Sequence, residues 1–219
     1  MLFRSDGTLV AITGMGSAAA SMGARSLIEA GATALASWGM AGGLDPALGA
    51  GAILLPREVL GPDGRTLNTE EGWRNRLSAA VAAHAPVCSG RLLSSSRAIG
   101  SVADKAELFR TTGAVAVDME SAAIGAVAEQ QQLPFIAVRV VVDSAADVLP
   151  RAVTAAADKE GHLQIGRLIG ALALAPSELA PLIRLARRYR AANRSLAAIA
   201  RMDSLAPCAF SASTHTRLS

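Results

Sequence analysis

Acidic residues stand between a predicted strand and a predicted helix in the middle of the chain. Residues 114–117 are wholly apolar and predict a buried strand, residues 121–130 predict a helix, and Asp118, Met119 and Glu120 lie between them. A carboxylate at the carboxyl end of a buried strand lies where open α/β sheets bind ligands. Glu120 has no opposite charge beside it in the sequence, so its burial requires hydrogen-bond donors, which two sugar hydroxyls would supply. Equally, Asp118 or Glu120 can simply cap the helix.

A second acidic turn follows the most strand-like segment of the chain. Residues 134–142 form an almost continuous apolar run, typical of a central strand covered on both faces, and Asp143 and Asp147 follow it. Asp143 is a candidate general acid, because burial can raise the pKa of a carboxyl group; either aspartate can instead cap the next segment. Arg139 interrupts the apolar run, and a buried guanidinium needs an anionic partner. We expect Asp143, Asp147 or Glu120 to be that partner, in a network at a functional site.

Two glycine-rich segments follow predicted strands near the start of the chain. Residues 14–19 read Gly-Met-Gly-Ser-Ala-Ala, between a predicted strand at 8–13 and a helix that Ser17 is expected to cap. This spacing resembles a dinucleotide-binding turn, but the next strand, 32–38, ends without the acid that holds a ribose hydroxyl. The turn then serves close packing, or its exposed amides bind an anion or hydroxyl. Residues 39–43, Gly-Met-Ala-Gly-Gly, offer further backbone donors to a flat ring or an anion.

The remaining pattern predicts one α/β domain over residues 1–202. The first two strands and the helix between them form a βαβ unit, which implies a parallel strand pair. Further strands are predicted at 52–55 and 87–93, and further helices at 70–83, 101–110, 163–174 and 179–202. A variant capping box, Ser-Val-Ala-Asp, begins the helix at 101. Residues 203–219 are polar and without periodicity, so we expect a disordered tail.

Composition narrows the function classes. The chain has 219 residues, of which 51% are hydrophobic, enough for one sizeable core. The net charge of +3 comes largely from Arg184 to Arg201, where only Tyr189 is aromatic, so a nucleic-acid partner is not expected. Cys88, Cys208 and the three histidines lack metal-ligand spacing, so no metal is expected. No apolar run is long enough to span a bilayer and no secretion signal is evident, so we expect a cytoplasmic protein.

Four of these segments together resemble the nucleoside phosphorylase/nucleosidase superfamily, in particular its methylthioadenosine/S-adenosylhomocysteine nucleosidases. They are Thr-Gly-Met-Gly at 13–16, Gly-Met-Ala-Gly-Gly-Leu-Asp-Pro at 39–46, Val-Asp-Met-Glu-Ser at 117–121, and Val-Asp at 142–143 with Asp147. The resemblance spans about residues 8–150. The Leu-Asp-Pro, an Ala-Asp-Lys-Ala-Glu-Leu helix start and the arginine-rich C-terminal helices are most similar to hopanoid-associated phosphorylases. The resemblance implies a three-layer αβα sandwich around a mixed, largely parallel sheet.

The resemblance also implies cleavage of the N-glycosidic bond of a purine nucleoside, with release of adenine. Glu120 would hold the ribose hydroxyls, Met119 would pack against the sugar, and Asp143 would protonate the purine ring nitrogen as the base leaves. A carboxylate near the sugar stabilises an oxocarbenium-like transition state, and the proton makes the base a neutral leaving group. Arg139 would organise the carboxylates. The rest of the pocket would be formed by Gly14, Met40, Ala41, Gly42 and Ile99. No cofactor is implied, apart from phosphate as a co-substrate of phosphorolysis.

The sequence departs from the family pattern in three respects. Family members begin with a further strand and helix, whose loop supplies a water-activating glutamate or phosphate contacts; Thr8 already resembles a later strand, so we expect that first strand and helix to be lacking. Met40 replaces a serine, and Ser37 and Trp38 stand where some phosphorylases carry a phosphate-binding arginine. Ser121 follows the Met-Glu pair where many relatives carry alanine. These departures leave open whether the nucleophile is water or phosphate, and whether the chain is active.

The resemblance leaves three functional hypotheses. A hopanoid-associated enzyme would release adenine from adenosylhopane, a lipid-linked nucleoside; the alternatives are a soluble methylthioadenosine-type nucleosidase and a non-catalytic nucleoside-binding protein. Residues 181–201 bear on the choice, because their apolar side chains fall near one helical face with arginines elsewhere. That face is expected at a membrane surface, or against the sheet or another subunit. The apolar set is Leu182, Leu185, Tyr189, Ala192, Leu196 and Ile199. The resemblance favours a homo-oligomer, either a dimer or a hexamer.

Overall fold

The computed structural model describes residues 2–5, 8–14, 16–82, 85–148 and 179–201. The helices in these ranges are α1 (Ser17–Glu29), α2 (Glu71–Ala82), α3 (Val102–Thr112), α4 (Ser121–Gln130) and α5 (Leu179–Ile199). The strands are β1 (Leu2–Ser5), β2 (Thr8–Ala11), β3 (Leu35–Gly43), β4 (Ile53–Leu54), β5 (Glu58–Leu60), β6 (Thr66–Asn68), β7 (Val87–Cys88), β8 (Arg91–Ser94), β9 (Ala114–Asp118) and β10 (Phe135–Asp143).

Eight of the described strands form one mixed sheet in the order β6-β5-β8-β9-β3-β10-β4-β7. The long strands β3 and β10 run parallel at its centre, paired from Leu35 with Phe135 to Ala41 with Val141. β10 is buried over almost its whole length, as its continuous apolar sequence predicts. The predicted α/β architecture around a central mixed sheet is therefore confirmed.

Helices cover both faces of this sheet. On one face α1 and α4 pack over alternate residues of the central strands, including Leu35, Ala137 and Val141. On the other face α2 and α5 pack over the intervening residues, such as Ile136 and Val138. Because successive side chains of a strand point to opposite faces, a strand buried on both must be apolar throughout. β10 has two exceptions, Arg139 on the α1 and α4 side and Asp143 at the end of the strand.

Several local predictions need correction. β2 pairs with β1 in a separate two-stranded sheet, so the expected parallel pair with β3 is absent from the described strands. The Gly-Met-Ala-Gly-Gly segment is the end of β3 rather than a loop, because β10 and β9 both bond to it. The strand predicted at 87–93 is split into β7 and β8 around residues 89–90. Gly16, and not Ser17, is the N-cap of α1.

Other local predictions are confirmed. Ser101 caps α3, since its hydroxyl accepts a hydrogen bond of 3.0 Å from the backbone N–H of Asp104. α1 ends at Glu29 and is followed by Gly31 in the left-handed region, at φ 97°. The helix predicted at 163–174 and the tail predicted at 203–219 lie outside the described residues.

The C-terminal helix α5 packs against the sheet along its second half. Ala192, Leu196 and Ile199 are buried against α2 and β10, as part of the predicted apolar face. Tyr189, expected on the same face, is 54% exposed. Ile183 on the outer side of the helix is 44% exposed.

Replacing Leu196 with alanine is expected to lower the free energy of unfolding by about 2–5 kcal/mol, because it leaves a cavity between α5 and the sheet. Urea denaturation followed by circular dichroism measures this change. Ile183→Ala on the same helix is the matched control, with an expected change within about 0.5 kcal/mol. Equal effects of the two substitutions would contradict the packing of α5 on the sheet.

Candidate active site

A buried ion pair lies directly behind the strand ends that carry the predicted site. Arg139 is 2% exposed, and its Nε donates a hydrogen bond of 2.8 Å to Asp118 Oδ2. Its Nη2 lies 2.7 Å from the same oxygen and donates to the hydroxyls of Ser37, at 2.6 Å, and Ser121, at 2.8 Å. Its Nη1 donates to the carbonyl of Val138 at 2.9 Å. The guanidinium is thus bonded within the protein.

The predicted partners of Arg139 were therefore wrong. Its partner is Asp118, and not Asp143, Asp147 or Glu120. The pairing register gives the reason: Arg139 lies opposite Gly39 of β3, which has no side chain to block the way to Asp118 on the next strand. Arg139 was also expected to contact substrate, and its side chain is buried.

Asp118 and Glu120 have different tasks at the start of α4. Asp118 accepts a hydrogen bond of 3.2 Å from the backbone N–H of Ser121 and another from the Ser94 hydroxyl. Ser94 in turn accepts from the N–H of Ala122 at 2.9 Å. Asp118 therefore does stabilise the helix start. Glu120 occupies the N-cap position, but its side chain makes no capping bond.

Glu120 joins the first glycine turn to the Met-Glu segment. Its Oε1 accepts a hydrogen bond of 2.9 Å from the backbone N–H of Gly16, although the two residues are 104 positions apart. Its Oε2 accepts one of 3.2 Å from the N–H of Met119. Gly16 has φ 94°, a conformation that favours glycine, and it begins α1, whose positive dipole end attracts a carboxylate. Each carboxylate oxygen keeps a further lone pair for a ligand hydroxyl.

Asp143 lies on the opposite side of the end of β3. Its Cα is paired with Gly42, after an irregularity in the register at Val141. A Cβ placed on Gly42 would lie 3.3 Å from Asp143 Oδ1 and 3.4 Å from Oδ2, so the carboxyl group rests against the backbone of β3. Gly42 is also paired with Val117, three positions before Glu120. The two predicted acids therefore flank the same stretch of strand.

Sequence reasoning missed the cation beside Asp143. Lys105, on α3, is fully buried and forms an ion pair with Asp143 Oδ2. Its ammonium also donates to the carbonyls of Ser144, at 2.8 Å, and Asp147, at 2.9 Å. One signal was available in the sequence: only two of the 21 basic residues are lysines. A compact ammonium with three donors suits an enclosed position better than the longer guanidinium.

A family comparison can now be set beside this geometry. The model of the phosphorylase superfamily matches residues 5–175, well over half of the chain. The chain belongs to the phosphorylase superfamily. The comparison with curated proteins gives no match.

Solved structures with this fold include enzymes of nucleoside cleavage. The 5′-methylthioadenosine/S-adenosylhomocysteine nucleosidase of Neisseria meningitidis, in complex with methylthio-immucillin-A, has a TM-score of 0.68 at 21% identity, covering 91% of this chain and 82% of that one. A mutant of the Helicobacter pylori nucleosidase of the same name (MTAN), with 5′-methylthioadenosine in its active site, has a TM-score of 0.65 at 16% identity, covering 91% of this chain and 83% of that one. A Helicobacter pylori futalosine hydrolase mutant has a TM-score of 0.58 at 19% identity, covering 64% and 78%. At these identities the likeness shows a shared fold.

In this superfamily member, the pKa values of Asp143 and Asp147 are shifted in opposite directions. Burial raises the pKa of Asp143, and the hydrogen bond and charge of Lys105 oppose that rise without cancelling it. Burial would also raise the pKa of Asp147, but hydrogen bonds from Ser144 and Arg188 outweigh it and lower the pKa to about 2. Asp143 is therefore the one of the pair suited to carry a proton.

The other predicted site residues differ in burial and in the residues they pack against. Ile99 is buried beside Leu93 and Val117, close to the end of β9. Ala41 is buried among the residues under α1 and α4, whereas Met40 packs toward α2 and α5. Gly14 is exposed, and Met119 is half-buried.

The described residues were also expected to carry no metal site and no membrane span. Within the described ranges, no group of three or more His, Cys, Asp or Glu is placed to hold a metal ion. No helix in the same ranges is long and apolar enough to cross a membrane. Two open clefts of about 310 and 270 Å³ lie beside α2 and beside α4, and neither is lined by a predicted site residue.

Replacing Arg139 with methionine is expected to lower the free energy of unfolding by about 3–5 kcal/mol, because Asp118 is left buried without its cation. The double variant Arg139→Met/Asp118→Asn should lose less than the sum of the single changes, since it removes both charges. Arg65→Met is the control, because the Arg65–Glu129 pair has side chains 60% and 53% exposed and should contribute less than about 1 kcal/mol. Urea denaturation measures all four, and additive losses would contradict the coupling.

Proposed function

We propose that the chain hydrolyses the N-glycosidic bond of a 5′-substituted adenosine and releases adenine. The observation that carries this proposal is the placement of Glu120 and Asp143 on either side of the end of β3. As the glycosidic bond breaks, the sugar gains positive charge and the base gains negative charge, so the two parts require opposite electrostatic stabilisation. Two acids in different surroundings match that requirement: Glu120 accepts two backbone hydrogen bonds, and Asp143 is buried.

Glu120 serves the sugar in this scheme. It accepts hydrogen bonds from the ribose hydroxyls through the lone pairs that Gly16 and Met119 leave unoccupied. Its negative charge stabilises the oxocarbenium character that develops at C1′ as the bond lengthens. The two backbone N–H groups fix the carboxylate before substrate arrives, so little reorganisation accompanies the reaction.

Asp143 serves the base. In its protonated form it donates its proton to a purine ring nitrogen while the C1′–N9 bond breaks, and the bonding electron pair stays on the purine. Adenine therefore leaves as a neutral molecule, and Asp143 becomes a carboxylate. Water forms a bond to C1′ and loses one proton to solvent, and Asp143 takes up one proton from solvent before the next turnover. The raised pKa of Asp143 supports this role, because it keeps more of the protonated form near neutral pH.

Water rather than phosphate is the proposed nucleophile. Ser37 stands where some phosphorylases carry a phosphate-binding arginine, and here it is fully buried and bonded to Arg139 and Ser121. A side chain committed in this way offers nothing to a phosphate ion. Product analysis with and without phosphate tests the choice: free ribose derivatives are expected, and phosphate-dependent release of a sugar 1-phosphate would overturn it.

Activity should depend on both acids. Glu120→Ala is expected to abolish adenine release, and Asp143→Asn to slow it by about 10²- to 10⁴-fold, the usual contribution of a general acid. The rate should also fall as the pH rises through the raised pKa of Asp143, because the protonated form is the active one. A coupled assay for free adenine with methylthioadenosine as substrate measures these effects.

Exposed acids provide matched controls for these variants. Glu129→Ala and Glu107→Gln alter the carboxylates of two exposed ion pairs and should leave the rate unchanged. A wild-type chain that binds adenine but releases none from any nucleoside would favour the non-catalytic alternative.

We further propose that the preferred substrate carries a lipid at its 5′ position, as adenosylhopane does, and is bound at a membrane surface. The supporting feature is the outer side of α5, where Arg187, Arg190 and Arg194 are exposed and residues 179–201 contain no acid. Basic helices with exposed apolar residues bind anionic lipid surfaces. Arg188 of the same helix bonds to Asp147 at 2.6 Å, so the helix is joined to the turn that follows Asp143.

Vesicle binding separates this proposal from a soluble nucleosidase. The wild type should sediment with vesicles rich in phosphatidylglycerol but not with pure phosphatidylcholine, and Arg187→Glu/Arg190→Glu/Arg194→Glu should bind about 100-fold more weakly, at about 1 kcal/mol for each arginine. Arg25→Glu/Arg57→Glu/Arg110→Glu makes the same charge change elsewhere and should bind far better than the helix variant. Equal binding by both variants, or equal rates with methylthioadenosine and a lipid-linked adenosine, would favour the soluble enzyme.

A further inference from the structure

One buried cation has no task in the scheme above. Lys105 is fully buried, and its hydrogen bonds to described residues go to Asp143, Ser144 and Asp147. A buried ammonium is costly unless it is paired and hydrogen-bonded, and Lys105 is both. Its nearest charge is the proposed proton donor.

We propose that Lys105 is a positioning residue of the glycosidic cleavage: it holds Asp143 by Oδ2 and leaves Oδ1 to donate the proton to the purine. This inference rests on the proposed function. Among the described residues, Oδ2 is the carboxyl oxygen that accepts a hydrogen bond, whereas Oδ1 accepts none. The geometry thus distinguishes the two oxygens of one carboxyl group.

The ammonium is anchored independently of Asp143. An ammonium group has three N–H donors, and here two of them bond to the backbone carbonyls of Ser144 and Asp147. Those two bonds remain when Asp143 gains or loses its proton. Lys105 therefore stays in place through the catalytic cycle and fixes the direction in which the carboxyl group points.

Lys105 also faces the charge that proton donation creates. When the proton leaves Oδ1, Asp143 becomes a carboxylate next to a fixed positive charge, which stabilises it. The other charged groups that act on Asp143 are Asp147, which opposes the carboxylate, and Arg188 of α5, which favours it. Arg188 is already paired with Asp147, so Lys105 is the main counter-charge.

The test compares Lys105→Met, Lys105→Arg and Arg110→Met by the pH dependence of kcat and kcat/KM for adenine release. Lys105→Met should lower kcat by about 100-fold, because the donor loses its orientation. It should also move the alkaline limb of the pH–rate profile to higher pH by about 1–3 units, because the charge that lowers the pKa of Asp143 is gone. Lys105→Arg keeps the positive charge on a side chain of different shape. It should therefore lower kcat and leave the alkaline limb of the pH–rate profile near its wild-type position.

Arg110→Met is the control, since Arg110 lies on the same helix and is 72% exposed. It should match the wild type in both readouts. An unchanged kcat and an unchanged limb in Lys105→Met would overturn the inference and leave the proposed function intact. Should Lys105→Met fail to fold, an unchanged kcat in Lys105→Arg would overturn it instead.

A measurement without turnover separates this inference from the proposed function. The ¹³Cγ signal of Asp143, assigned from Asp143→Asn, should titrate at a higher pH in Lys105→Met than in the wild type. If no nucleoside releases adenine, the proposed function fails, yet this titration still shows whether Lys105 controls Asp143. An identical titration midpoint in the two proteins would overturn the role of Lys105, whatever the activity.

Discussion

The buried ion pair of Arg139 and Asp118 connects the three strands whose ends form the candidate site. Arg139 belongs to β10, Asp118 ends β9, and the guanidinium crosses β3 between them. Burying two charges loses their hydration, and attraction offsets the loss only where further hydrogen bonds satisfy both groups. Ser37 on β3 and Ser121 on α4 complete that set. Any relative shift of these strands would break several of these bonds at once, so the strand ends are held in register.

Four acids follow these strands, and the difference in their surroundings separates their tasks. Asp118 faces an arginine and helix amides, and Asp147 faces Arg188 and Ser144, so both stay bound within the structure. Glu120 meets two backbone amides and remains half-buried. Asp143 is the acid whose pKa is raised by burial. The roles proposed for these acids thus depend on where each carboxylate lies relative to the sheet, and not on residue type.

Sequence patterns predicted the central strands and the placement of acids at their ends, because both are local features. An acid at the end of a strand is predicted as soon as the apolar strand before it is recognised. The ends of β9 and β10 confirm both predictions. Contacts between distant segments were harder to predict. The sequence left Asp143, Asp147 and Glu120 as candidate partners of Arg139, whereas the register across β3 selected Asp118. Lys105 comes from a helix 38 positions before Asp143, and no local pattern indicates that contact.

The glycine at position 42 links the fold of this site to its chemistry. Without a side chain there, the carboxyl group of Asp143 lies against the strand and loses most of its contact with water, which raises its pKa. Burial alone would leave an acid that seldom ionises, and a salt bridge alone would leave a carboxylate that seldom holds a proton. Lys105 opposes the effect of burial without exceeding it. The balance leaves a carboxyl group able to give up a proton and to regain one, as a general acid must in every turnover.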